Sequence, residues 1–147
     1  MRIADLETIQ GRNFAAGRTS KPIVGTGRAI ECDNFCMGVV ELDPNGGQTP
    51  WHNHPNEEIY LILEGEVEMA LGDELATLHR GQTVHIEPGV FHQITNLTPK
   101  PAKFLYVYAP AGDVLHWKQE LEGTLPRAGV DAPPLPKGAA DQRTQHG

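Results

Sequence analysis

Cysteine is nearly absent from this chain. Its 147 residues include two, Cys32 and Cys36, in a CxxxC spacing rather than the CxxC of a zinc ribbon or redox pair. Both are expected as free thiols, buried or half-buried. No apolar run approaches the roughly 20 residues that a membrane helix requires. No cluster of lysine and arginine offsets a formal charge of -7, so nucleic acid and anionic membrane are both expected to be repelled. The opening MRIADLETIQ lacks the basic-then-apolar order of a secretory signal, and a cytoplasmic protein is expected. Repeats of solenoid length are lacking as well.

Turn punctuation, in contrast, is abundant. Sixteen glycines and twelve prolines fall mostly between short apolar runs, which favours strands and turns over a helical bundle. From residue 35 to 109 the chain reads as one series: FCMGVVEL, EEIYLILEGEVEMAL, LATLH, TVHIE, FHQITN and AKFLYVYAP, with turns between. Short strands at such regular intervals predict an antiparallel sandwich or barrel over residues 31–112. Residues 1–30 are weakly patterned and are expected to pack, with a short strand, on the barrel or on a partner. GDVLHWKQELEG is the best helix candidate, assigned to 113–123. Val114, Leu115, Lys118 and Leu121 would form its imperfect stripe against the barrel's outside, and Gly123 its C-cap. Residues 124–147, rich in proline and small side chains, read as an extended or disordered tail able to wrap a partner subunit.

The segment WHNHPNEEIYLILEGE (51–66) sets two histidines and a glutamate pair against an apolar run. On a helix, residues two apart diverge by roughly 200°, whereas on an extended chain they share a face. His52, His54 and Glu58 then project to one side, with Tyr60 and Ile62 after them. Imidazole and carboxylate together suit iron, manganese, nickel, copper or zinc. A further ligand is expected from GQTVHIEPGVFHQITN, where the turn EPG aims His92 back at the sheet. His85 either lines the same chamber or points outward. Tyr60 is either a hydrogen-bond donor in the chamber wall or an ordinary buried tyrosine. Glu57 is expected in solvent, His79 at an exposed turn, and Trp51 at the rim of the entrance. Phe104, Tyr106 and Tyr108 read as packing, and Asn96 as a residue satisfying turn backbone. His116 and His146 receive no role.

These residues resemble the cupin superfamily, in its small single-domain form. Gly46, His52, His54, Glu58 and Gly65 fit every spacing of the first cupin motif, and Gly81, Gly89, His92 and Asn96 those of the second. Glu87 departs from the pattern, standing where the family usually has proline, with Pro88 next to it. The resemblance implies an all-β jelly-roll barrel with one divalent transition metal per chain, held by His52, His54, Glu58 and His92. It also implies a homodimer acting on a small molecule. The leading expectation is a dioxygenase-type oxidoreductase in which Glu58 and Tyr60 are catalytic. The alternatives are a non-redox isomerase, lyase or decarboxylase, or a non-catalytic module that binds a small ligand.

Overall fold

Residues 1–112 and 114–143 are described by a computed structural model and form ten strands, one α-helix and a single 3-10 turn at Leu6–Thr8. In chain order these are β1 (Arg12–Phe14), β2 (Arg18–Val24), β3 (Cys36–Leu42), β4 (Gly47–Gln48), β5 (Glu57–Glu64), β6 (Glu66–Leu71), β7 (Glu74–His79), β8 (Thr83–Ile86), β9 (His92–Asn96), β10 (Ala102–Ala109) and α1 (Leu115–Glu122). Two antiparallel sheets result, ordered β1-β2-β3-β10-β5-β8 and β4-β9-β6-β7. This is the expected jelly roll. Gly65 divides the long apolar run into β5 and β6 at a φ of 82°, which a side chain would make costly.

Alternation decides which face is inside. Along β5, Glu58, Tyr60 and Ile62 are buried between the sheets, and Glu57, Ile59 and Leu63 face outward. Along β10, Ala102, Phe104, Tyr106 and Tyr108 take the inner face. The β10–β5 register pairs Tyr106 with Tyr60 and Tyr108 with Glu58. Ile62, Phe104, Val67, Met69 and Ile94 fill the core between the sheets, and each such side chain contributes about 1.5–3 kcal/mol by leaving water. A second, smaller cluster lies outside the six-stranded sheet, where Ala4, Leu6 and Ile9 cover Ile23, Val24 and Val39.

The N-terminal region supplies more than one short strand. β2 is a seven-residue member of the large sheet, pairing Arg18 with Leu42 and Ser20 with Val40. That register brings both polar side chains to the inner face. Residues 124–143 run without regular strands over the smaller sheet. There the Ala140 carbonyl accepts from Gln93, the Asp141 carbonyl accepts from Gln48, and the Arg143 amide donates to Gln48. Trp51, expected at the entrance, is instead fully buried, its Nε1 donating to the Pro133 carbonyl at 2.9 Å. The extended segment covers what would otherwise be a rim.

Helix α1 corrects a second expectation. Gly123 ends it in the left-handed conformation as predicted, but Leu115 and Leu121 are 62% and 63% exposed. The buried residues are Val114, His116 and Glu120, with Trp117 beside them, and they face the interior between the sheets rather than the barrel's outside. Polar groups win this face because Glu120 finds two buried partners, Arg18 across the chamber and His116 one turn back. His146 lies outside the described residues. Among the described residues, no helix is long and apolar enough to cross a membrane.

Candidate metal centre

His52 and His54 precede β5 on an extended stretch, where both are buried while Asn53 between them is exposed. His52 is fixed against the start of β9 by a reciprocal pair of backbone hydrogen bonds with His92, at 3.1 and 2.8 Å. The turn at 87–90 seats this pairing. Gly89, at a φ of 82°, donates its amide to the His54 carbonyl, and the Val90 amide donates to Glu87. The bond from Val90 uses only the Glu87 carbonyl, so glutamate serves where proline is usual. Asn96, fully buried, donates to the carbonyls of Leu42, Asp43 and Lys100, the role read from sequence.

The three rings converge. The ligand atoms of His52, His54 and His92 all lie within 4.8 Å of one another. Metal–nitrogen bonds of about 2.1 Å put two ligand nitrogens up to roughly 4 Å apart, so small side-chain shifts would close them on an ion. Each Nδ1 meets a backbone carbonyl two residues away: Pro50 at 2.6 Å, Asn56 at 3.0 Å and Val90 at 2.9 Å. A carbonyl only accepts, so each Nδ1 carries a proton and Nε2 is the nitrogen left to face the centre of the group.

Glu58 tests whether this group fits a metal. Its Oε1 stands 3.3 Å from Nε2 of both His54 and His92. A carboxylate there is repelled by bare lone pairs and held by a positive charge among them, whether a metal ion or a ring proton. His92 Nε2 is wholly buried and makes no well-formed hydrogen bond. The group therefore fits a divalent metal, and protons can only partly substitute. Burial opposes charge on His54, but the adjacent Glu58 outweighs it and raises that ring's pKa. Burial, His116 and His92 drive His52 strongly the other way. Burial would raise Glu58, yet contacts from His54 and His92 hold it at about 2.

The chamber continues past the cluster. Tyr60 faces it, its pKa pushed well above the usual value by burial and then by Glu58. Burial likewise raises Tyr106 to about 12. Both tyrosines, with Phe104 and Tyr108, line the cavity, so the aromatic row on β10 is at once packing and wall. His85 points outward and pairs with exposed Glu57 at 2.7 Å. His79 is exposed beside Glu66. Cys32 is half-buried and Cys36 buried, both free thiols.

Sequence reasoning missed four residues here. His116 lies directly over the cluster, its ring centroid 3.9 Å from that of His52. Glu120, Arg18 and Ser20 are buried with it. The signal available was the i, i+4 pair of His116 and Glu120, masked by the brighter leucines. For Arg18 and Ser20 it was the two-residue alternation in RTSKPIV, masked by Pro22.

The profile of the cupin domain family matches residues 38–108. This chain is a cupin. The cupin barrel places the three histidines at one end of the inner face, beside β5 and β9. An uncharacterized protein of Methanocaldococcus jannaschii is 41% identical over 78 residues, which cover 49% of this chain and 62% of that protein. A dimethylsulfoniopropionate lyase of Ruegeria pomeroyi is 41% identical over 49 residues, covering 33% of this cupin and 24% of the lyase. The alignment thus spans less than two thirds of either relative. Among solved structures, a sugar phosphate isomerase of the cupin superfamily from Silicibacter pomeroyi superposes with a TM-score of 0.63 at 26% identity. That superposition covers 71% of this chain and 73% of the isomerase.

Proposed function

We propose that this cupin is a metal-dependent enzyme that moves a proton on a small oxygenated compound. His52, His54 and His92 would hold a divalent transition metal, with Glu58 as fourth ligand or as base. The observation that carries this reading is the placing of two neighbours on one face of β5. Glu58 stands 3.3 Å from Nε2 of both His54 and His92, and Tyr60, two residues on, lines the same cavity. A carboxylate and a phenol so placed offer a proton acceptor and a hydrogen-bond donor on one wall.

When bound, the metal supplies a Lewis acid that polarises a substrate oxygen. Glu58 then accepts the proton that the substrate releases. Tyr60 donates a hydrogen bond to the oxygen on which negative charge develops. Phe104 and Val40 give that end of the chamber an apolar wall. The lyase and isomerase names of two similar proteins support this non-redox reading. The dioxygenase reading is second, favoured by the donor set itself. Three neutral imidazoles and one carboxylate also suit iron or copper, and leave two positions on a six-coordinate ion.

The test begins with metal analysis of protein purified without chelators or nickel resin, followed by reconstitution with zinc, iron, manganese, nickel and copper. Isomerisation or elimination in the zinc form without oxygen uptake is the expected result. Oxygen uptake confined to the iron or copper form would establish the dioxygenase instead. Glu58→Gln is expected to retain metal, since its amide oxygen can still ligate, yet lose turnover by about 100-fold or more. Wild-type protein that takes up no metal ion overturns both readings.

A further inference from the structure

The proton-transfer reading leaves one charged group in the chamber without a task. Arg18 reaches the cavity from β2 with its side chain 2% exposed. Its guanidinium is gripped by Glu120 of α1 through two bonds, Nη1 to Oε1 at 2.8 Å and Nη2 to Oε2 at 2.6 Å. The ring of Phe14 lies against it, 3.9 Å from Cζ to centroid. Nη1 also approaches the Gln48 carbonyl at 3.4 Å. Two residues along, on the same face, the Ser20 hydroxyl is buried in the cavity with the Tyr106 hydroxyl for company. A fixed cation and two hydroxyls on one wall are what a small polar ligand would meet.

A buried ion pair is a poor way to hold a helix down. Two charges are stripped of water and compensated mainly by each other, and an apolar pair of similar size would serve as well. The pair makes more sense if its carboxylate is exchangeable. The cavity is about 30 Å³ in this conformation, room for one or two waters and no more, so a substrate of several carbons must displace a wall. Most of that wall is strand, locked in hydrogen-bonded ladders. α1 is eight residues long, and its N-cap Val114 provides no side-chain capping bond. So short a helix has little stability of its own.

The geometry points to Arg18 as the docking group for a carboxylate on the substrate, with Glu120 occupying that position until the substrate arrives. The inference rests on the metal-centre reading only for the other end of the molecule, where a second oxygen would meet the histidine cluster. Exchange of one carboxylate for another never leaves the buried guanidinium unpaired. It frees α1 to lift, carrying His116 and Trp117 from the roof. The fork that accepts a planar carboxylate through two parallel bonds would also accept phosphate, but a carboxylate is the group that already fits it here.

Lactate, which carries a carboxylate beside a hydroxyl, is a suitable probe. Lactamide and inorganic phosphate are the controls, and calorimetry on the full zinc-loaded chain is the readout. Removing the internal competitor should raise affinity by the inverse of the open fraction, so Glu120→Gln is expected to bind lactate about ten-fold more tightly. Lactamide should not bind. Arg18→Met with Glu120→Leu replaces the pair by apolar groups and should keep the fold and the zinc while losing lactate affinity at least about ten-fold. Saturating lactate should also speed amide exchange in residues 115–122 of the wild type. Unchanged or weaker lactate binding by Glu120→Gln, wild-type binding by the double variant, or unaltered exchange in α1 would each overturn the proposal. Tight phosphate binding without lactate binding would overturn its carboxylate assignment. Zinc content measured alongside separates the two readings, because wild-type protein that takes up no zinc yet binds lactate sinks the metal centre alone.

Discussion

Each histidine of the cluster is fixed by a backbone carbonyl at Nδ1 and by its burial, so removing one ring leaves the others in place. His54→Ala should lower bound metal from one ion per chain to less than about a tenth of that under dilute conditions, because losing even an outer-shell partner costs 10–100-fold in affinity. Far-UV circular dichroism should be unchanged, since His54 lies outside the strands. Full metal retention would remove His54 from the ligand set. The same residues explain what could be read from sequence. His52, His54, Glu58 and His92 were legible because the two-residue period of extended backbone and the EPG turn act over short distances. Tyr60 was placed by that same period. Arg18 and His116 reach the chamber through β2 pairing and helix docking, which nothing in their neighbouring residues encodes. Trp51 was misplaced because its cover, at Pro133, comes from a distant part of the chain.

Helix α1 is the element on which sequence reasoning went furthest astray. Its exposed leucines outweigh the true inner face in any hydropathy count, and its buried face is polar for an electrostatic reason. That reason carries a pH dependence. Burial works to raise the Glu120 pKa, but His116 and Arg18 overcome it and hold the carboxyl below its ordinary 4.5. The folded value lies below the unfolded one, so the contribution is complete above about 4.5 and is lost as pH falls through the folded value. Burial also holds His116 neutral down to about 4, so charging it costs stability once pH falls below its ordinary 6.5, and acidification from there should progressively loosen α1, read as a red shift in Trp117 emission. Trp51, sealed in the barrel, gives a constant background. Arg18→Met alone, which strands Glu120, should cost about 3–5 kcal/mol in denaturant unfolding. The double variant with Glu120→Leu should restore most of it. Equal stability for the two would mean that Glu120 is not buried when unpaired.

At the scale of the whole molecule, the two sheets differ in what covers their outer faces. The small sheet is covered by the chain itself. Gln48 bonds the tail twice, through the Asp141 carbonyl and the Arg143 amide, and also donates to Thr95. Gln48→Ala should cost about 1–3 kcal/mol, measured by chemical denaturation, by leaving buried groups unpaired. On the large sheet the N-terminal segment covers only part. Beyond it, Ile59 and Leu63 are 37% and 36% exposed along β5, with Leu61 half-buried between them and Val107 half-buried beside Ile59 on β10. An apolar outer face where alternation would put polar residues is a surface for association, and a homodimer through this face is proposed. Light scattering should give twice the chain mass, and Leu63→Glu should reduce it to one. A monomer mass for the wild type at every concentration would refute it. One arrangement reaches further than any of these measurements. The three converging imidazoles are aimed by main-chain oxygens, which no point mutation can delete. The cradle is thus insulated from the drift of side chains around it, and the surrounding wall can be rewritten while the cradle keeps its shape.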